Sequence, residues 1–249
     1  MTKIIIGFTI GLEMSKYLIG TCVVNEGEKI KRVIRKLNDY PAYDVFIIDD
    51  GSTDGALKEL KHPSLKMFRN AVNQGAGYCV RQILYHAKDN GYAAVFFISG
   101  NDKDDPGDIE KLKKAVEAGY DFVQGSRYVE GGEFGGMPFY RKISTRFIHP
   151  FLFSLITGKK IADSTNGFRA VRLSLLDDKR INLNQSWLDH YELEPYLFYK
   201  AITLGYKVTE VPVRKLYPSK QEGYTKMKPI VGWWSILRPI VYLGLGIRK

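Results

Sequence analysis

The stretch Ile47-Ile48-Asp49-Asp50-Gly51-Ser52-Thr53-Asp54-Gly55 decides how this chain is read. The residues Val45, Phe46, Ile47 and Ile48 make an apolar run too short for a helix and of the right length for a buried strand. Two carboxylates stand at its end, and the polar, glycine-bounded segment after them predicts a tight turn into a helix. Ser52, Thr53 and Asp54 can each accept from backbone N–H groups there. In open α/β sheets ligands bind beyond the carboxyl ends of the strands. Asp49 and Asp50 are therefore candidate acceptors for a base or a ribose, and equally suited to capping a solvated turn.

Working outward, residues 16–24 read as a first core strand. Asn25-Glu26-Gly27-Glu28 then opens a helix on which Ile30, Val33, Ile34 and Leu37 recur at helical spacing. Downstream come a short helix over 56–60 and a third strand over 65–68. The turn Asn73-Gln74-Gly75-Ala76-Gly77 precedes a helix over 78–88. Gly75 and Gly77 would let backbone approach a phosphate at a helix N-terminus, or serve only a tight turn. A fourth strand over 93–98 runs into Ser99-Gly100-Asn101-Asp102-Lys103-Asp104-Asp105-Pro106. Pro106 suits the first position of a helix over 107–118, and 121–124 is a fifth strand. Strands alternating with helices from about 16 to 126 predict an α/β fold with a parallel, doubly wound sheet. The alternation weakens after residue 127.

The 249 residues carry a formal charge of +10, which calls for an anionic partner: nucleic acid, a phosphate-rich ligand or a membrane surface. The basic residues are dispersed and no nucleic-acid motif occurs, so nucleic acid is not expected as a partner. Cys22 and Cys79 lie in apolar surroundings and read as reduced core residues; no Cys/His spacing suggests zinc. Asn25-Glu26-Gly27-Glu28 stands where a dinucleotide-binding chain would carry Gly-x-Gly-x-x-Gly, against a dehydrogenase. Residues 3–12 look like a signal-peptide core but lack a small-residue cleavage site, so 1–15 is expected to be an extension or an edge strand. No apolar run reaches the roughly 18 residues of a membrane-spanning helix.

Several motifs in order carry a resemblance. Val24-Asn25-Glu26, Ile48-Asp49-Asp50-Gly51-Ser52-Thr53-Asp54 and Gly125-Ser126-Arg127-Tyr128 resemble a family 2 inverting glycosyltransferase of the GT-A fold. So do Asp163-Ser164-Thr165-Asn166-Gly167-Phe168-Arg169, Gly205 to Val213 and Gly223-Tyr224-Thr225-Lys226-Met227, which resemble its dolichyl-phosphate mannose synthase branch. The resemblance implies a Rossmann-like, mostly parallel sheet flanked by helices. It divides the chain into 1–15, a glycosyltransferase domain over 16–215, and a mobile loop with interfacial helices over 216–249. It implies transfer of a sugar from a nucleotide sugar, GDP-mannose or a UDP-sugar, to a polyprenyl phosphate. The alternatives are a catalytically impaired nucleotide-sugar-binding protein and a transferase acting on a non-lipid glycan.

The same resemblance assigns residues. Val24, Glu26, Asp49 and Asp50 would line the nucleotide, joined by Gly75 from the reading of its turn, and Arg127, Arg141 and Thr145 would meet the acceptor phosphate, with Lys226 closing over it. Guanidinium groups suit phosphate, and Arg141 and Thr145, four apart, share a helix face. Asp163 would orient an arginine or line the donor pocket, and Glu194 is a weaker candidate of the same kind. The family's Asp-x-Asp and following Gln, which bind Mg2+ or Mn2+, fall here on Ser99, Asn101 and Lys103. Two possibilities follow. Asp102, Asp104 or Asp105 takes the metal through a shifted loop, the version favoured by the sequence, or Lys103 supplies the charge itself.

A lipid acceptor requires contact with a bilayer. One amphipathic helix is expected over 141–157, bent at His149-Pro150, with Ile143, Phe147, Ile148, Phe151, Leu152, Leu155 and Ile156 as its apolar positions. The segment 229–247 has aromatic and basic residues suited to an interface, interrupted at Arg238-Pro239. A peripheral protein on the cytoplasmic face of the membrane is expected; whether a separate subunit supplies an anchor is left open.

Overall fold

The computed structural model describes residues 16–217 and 231–248. The expectations placed on 1–15, on the motif over 223–227 and on Lys226 lie outside the described residues.

Among the described residues, seven strands form the central sheet. In chain order these are β1 (Tyr17–Val23), β2 (Asp44–Asp49), β3 (Leu65–Arg69), β4 (Ala94–Phe97), β5 (Phe122–Ser126), β7 (Arg169–Arg172) and β8 (Val208–Pro212). A short parallel pair, β6 (Glu133–Gly135) and β9 (Arg214–Leu216), stands apart from it. The sheet order is β3-β2-β1-β4-β7-β5-β8. Every pairing is parallel except those of β7, which runs antiparallel between β4 and β5. The sheet is thus mostly parallel, as the motifs imply, but not the all-parallel one expected from strand–helix alternation. β7 is only four residues long, and it arrives after a long excursion rather than a right-handed crossover.

Strand residues alternate between two cores, one on each face. Ile19, Val45, Ile47, Ala94 and Phe96 face the helices α1 (Glu28–Leu37) and α3 (Ile109–Glu117). The four residues expected to form the buried stripe of α1, Ile30, Val33, Ile34 and Leu37, are all buried there. Leu18, Phe46, Ile48, Val95 and Phe97 face the opposite core, built with α2 (Ala76–Asp89), α5 (His149–Thr157), α6 (Leu193–Thr203) and α7 (Val231–Gly244). Phe122, Phe153 and Phe198 stack at its centre, with ring centroids 4.7 and 5.0 Å from Phe198.

The segment expected as one bent helix is three pieces. α4 (Phe139–Ile143) leads into a π-helical turn (Ser144–Ile148), and α5 follows. The bend lies ahead of His149-Pro150 because proline, needing no N–H partner, starts α5 rather than breaking it. Its outer face leaves Phe139, Tyr140, Ile143, Phe147, Ile148, Phe151 and Leu155 exposed, with Phe139 at 76% and Leu155 at 70%.

α7 runs through Arg238-Pro239, which the sequence suggested as an interruption. It is pinned to the core. Glu192, wholly buried, accepts from Ser235 Oγ at 2.5 Å and pairs with Arg238. The buried His149 ring meets the Ser164 hydroxyl at 2.7 Å and the Ile236 carbonyl at 3.3 Å. Burial holds the His149 imidazole down at about 4, so it is neutral near pH 7. Among the described residues no helix is long and apolar enough to cross a membrane.

Candidate active site

The loops after β1 and β2 interlock. Asn25, in the left-handed region with φ 48°, accepts through Oδ1 from Thr53 N at 2.7 Å and Asp54 N at 3.2 Å. Asp54 returns a carboxylate oxygen to Gly27 N at 2.8 Å. Val24, Glu26, Asp49 and Asp50 therefore share one corner of the carboxyl rim. The two aspartates are already bonded within the chain, and Asp49 also faces the Arg69 guanidinium at 3.5 Å. Asp49 accepts from Ser52 N at 2.8 Å. Asp50, 1% exposed, accepts from Asn70 Nδ2 at 2.7 Å, Gln74 N at 2.8 Å and Gly75 N at 3.0 Å. Asp50 thus shapes the turn before α2.

The space at that helix start belongs to the chain itself. A Cβ on Gly75 would lie 2.3 Å from the Asp189 carbonyl, and one on Gly77 1.9 Å from the Leu188 carbonyl. These glycines admit the 188–190 backbone, and Tyr78 N donates to Asp189 O at 2.9 Å. This differs from the phosphate approach entertained for Gly75.

The loop after β4 has a different character. Asp102, at φ 58°, turns its carboxylate to Arg32 at 2.6 Å and Lys36 at 2.7 Å on α1. Asp104 is 3% exposed, pairs with Lys215 of β9 and accepts from Ser99 N at 2.9 Å. Burial opposes its ionisation, yet Lys215 holds its carboxyl below the usual range. Asp105 caps Gly107 N at 3.0 Å and pairs with Arg214 at 2.6 Å. Each carboxylate that might have replaced the Asp-x-Asp is thus already matched to a cation of its own. What is left at the motif register is the Ser99 hydroxyl, 3.5 Å from Lys215 Nζ, and the buried Asn101 Oδ1, which has no hydrogen-bond partner among the described residues. Mg2+ and Mn2+ favour about six oxygen ligands with carboxylates among them. One amide and one hydroxyl beside a lysine do not fit such an ion.

Lys103 is itself 8% exposed. Its ammonium lies 4.8 Å from the centroid of the Tyr217 ring, and the Arg141 guanidinium lies 5.4 Å from the same centroid. Arg127 Nη1 donates to the Tyr217 hydroxyl at 3.4 Å. Burial, then the like charges of Lys215 and Arg141, push the Lys103 ammonium down to about 8; Glu26 pulls the other way and Lys29 adds to the depression. Tyr217 is therefore the hub on which Lys103, Arg127 and Arg141 meet.

Arg127 is 3% exposed and held by Asp163 through Nε and Nη2, both at 2.7 Å, while Nη2 also donates to Thr165 Oγ1 at 2.7 Å. Burial opposes the charge on both partners, but each holds the other ionised: the arginine is shifted up and the aspartate down. Asp163 orients an arginine, one of its two expected roles. Thr145 is likewise turned inward, accepting from or donating to Tyr128 OH at 2.7 Å and bonded to the Arg141 carbonyl at 2.8 Å. Its hydroxyl thereby fixes the turn that carries Arg141. Glu194 pairs with Arg169 at 3.4 Å.

So the structure gathers Glu26, Lys103, Arg127, Arg141 and Asp163, with Thr145 in support, and sets Asp50 and Gly75 to shaping a turn. Sequence reading missed Tyr217 and Lys215. Tyr217 sits at the edge of a polar segment, and no local pattern marks either residue as central.

The chain matches glycosyl transferase family 2 over residues 18–179. It is 28% identical over 210 residues to the polyprenol monophosphomannose synthase of Mycolicibacterium smegmatis, covering 82% of this chain and 77% of that one. It is 28% identical over 167 residues to the dolichol-phosphate mannosyltransferase of Pyrococcus furiosus, covering 64% and 46%. Among solved structures, the glucosyl-3-phosphoglycerate synthase of Mycobacterium tuberculosis, in complex with Mn2+, uridine diphosphate and glucosyl-3-phosphoglycerate, superposes with a TM-score of 0.66 at 15% identity, over 94% of this chain and 80% of that one. The fold is therefore that of the GT-A enzymes, and the chain belongs to glycosyl transferase family 2: it is a glycosyltransferase.

Proposed function

We propose that this protein transfers a sugar, with inversion, from a GDP- or UDP-sugar to a polyprenyl phosphate at the cytoplasmic face of a membrane, as a peripheral protein. The adjacency of two features carries the reading. The cations around Tyr217 include Arg141, and α4, which bears Arg141, begins the exposed apolar face that runs to Leu155. A phosphate on a lipid needs both features, a cation for its head and an apolar surface beside the bilayer for its tail. The names of the curated relatives point to the same class of acceptor.

In this reading an oxygen of the acceptor phosphate attacks the anomeric carbon. The bond from that carbon to the nucleoside diphosphate breaks, and its electron pair stays on the departing diphosphate. A phosphate monoester is already ionised at neutral pH, so no protein base has to remove a proton. Arg141 orients the acceptor, Arg127 is held rigid by Asp163, and the chain's cations offset charge on the leaving group.

The test is incubation with each of a panel of GDP- and UDP-sugars and vesicles containing polyprenyl phosphate. Sugar entering the lipid phase is expected with one of them, and Arg141→Ala abolishes it. Transfer to a soluble glycan but not to lipid would point to another acceptor. The altered 99–105 loop favours a second reading, nucleotide-sugar binding without turnover. Thermal stabilisation by a nucleotide sugar, with no transfer under any condition, would establish it.

A further inference from the structure

We infer that Cys22 and Cys79 are a pair built to close into a reversible disulfide, which ties β1 to α2 beside the turn that Asp50 shapes.

Cys22 is on β1 and Cys79 on α2, and both are free cysteines. Their sulfurs and a carboxylate oxygen of Asp50 all lie within 4.8 Å of one another. A neighbouring contact shows how the two elements come so close. Gly20 shares a face of β1 with Cys22, two residues on, and Ile83 shares a face of α2 with Cys79, four residues before it. A Cβ on Gly20 would stand 2.5 Å from Ile83 Cγ2. The missing side chain at Gly20 therefore lets α2 lie tightly on β1, and Cys22 meets Cys79 at the next step of the same seam. A disulfide depends on close approach of this kind.

Two thiols and a carboxylate could instead serve a metal, but the carboxylate is taken. Asp50 Oδ1 accepts from Asn70 Nδ2 and Gln74 N, and Oδ2 accepts from Gly75 N. Two sulfurs remain, half the ligand set of a closed zinc site. The two cysteines are also unequal. Cys79 is wholly buried, and Cys22 is partly exposed among the described residues. The Cys22 sulfur beside it, and then burial, push the Cys79 thiol up, so Cys22 is the cysteine that starts the reaction. Its thiolate attacks one sulfur of a small-molecule disulfide; that S–S bond breaks and one thiol leaves. Cys79 then attacks the Cys22 sulfur of the mixed disulfide, forms the Cys22–Cys79 bond and expels the second thiol. The protons of the two cysteines end on the two released thiols. The protein is oxidised by two electrons and the reagent reduced by two.

The test uses the full chain, folded and reduced, with oxidised glutathione as the probe. The chain has two cysteines, so the thiol count reports this pair alone. Two free thiols are expected to fall to none, with a mass loss of two hydrogens and no dimer in non-reducing electrophoresis, and dithiothreitol restores both. The cysteines are 57 positions apart, and the bond is expected to raise the thermal unfolding midpoint by about 5–10 °C. Cys79→Ser is expected to keep glutathione on Cys22, and Cys22→Ser to leave Cys79 unreacted while folded. Thiols that survive, a lasting adduct on wild-type Cys22, a disulfide between two chains or a lowered midpoint overturns the inference. So does zinc carried by the purified protein that shields both thiols until a chelator removes it. These wild-type measurements need no variant, so a poorly folding substitution does not shelter the idea.

Discussion

The loops that follow β2 and β4 leave the same edge of the same sheet, and both are rich in aspartate, yet they are built on opposite principles. After β2, Asp50 is buried among neutral donors, the amides of Gln74 and Gly75 and the Asn70 side chain. After β4, Asp102, Asp104 and Asp105 are each matched to a lysine or arginine brought from another element. The first loop uses its carboxylate to shape backbone. The second spends its carboxylates on distant cations and leaves Lys103 at the site. Acidic residues at a strand's carboxyl end are therefore not in themselves a ligand set; what they bond to decides.

The sharpest way to break this contrast is to remove Lys215. Lys215→Met strands Asp104 as a buried charge and is expected to cost about 3–5 kcal/mol in denaturant unfolding. A cost near zero would mean that the pair does not hold the β4 loop. Acid sharpens it second, because stability is then sensed at neither loop but at His149. The unfolded imidazole takes its proton near 6.5 and the folded one only near 4, so the unfolded state binds more protons between those values. Stability should fall by about 3 kcal/mol as pH drops through that window, and His149→Gln should flatten the fall. A smaller effect is expected at the neutral loop. Asp50→Ala leaves the amides of Gln74 and Gly75 without their acceptor and should cost about 2 kcal/mol, read as a shift in the unfolding midpoint.

Much of the sheet could be read from the chain because its signals are local. The strand before Asp49 and the stripe Ile30, Val33, Ile34 and Leu37 depend on residues near one another in sequence. The motif order likewise placed Glu26, Arg127, Arg141 and Asp163 in one region. Three features were not legible, and each depends on pairing at a distance. The antiparallel setting of β7 comes from its neighbours β4 and β5. Gly75 and Gly77 resemble a phosphate loop, and only the approach of residues 188–190 shows otherwise. Tyr217 gains its role from Lys103, Arg127 and Arg141, residues 76 to 114 positions away in the chain.

The π-helical turn over Ser144–Ile148 has a consequence for how the molecule tolerates insertions and deletions. On an ideal α-helix Phe139 and Leu155 would sit about 160° apart around the axis, on nearly opposite sides. One extra residue in a wide turn winds about 100° of that back, leaving them about 60° apart. The turn is thus a phase corrector that keeps a long row of side chains in line. Losing a single residue from it, with the turn closing to ordinary α-helical winding, would leave Phe139 and Leu155 still about 60° apart, whereas one residue inserted elsewhere in the segment would carry them to about 160°, so the turn is where this row of side chains best survives a deletion.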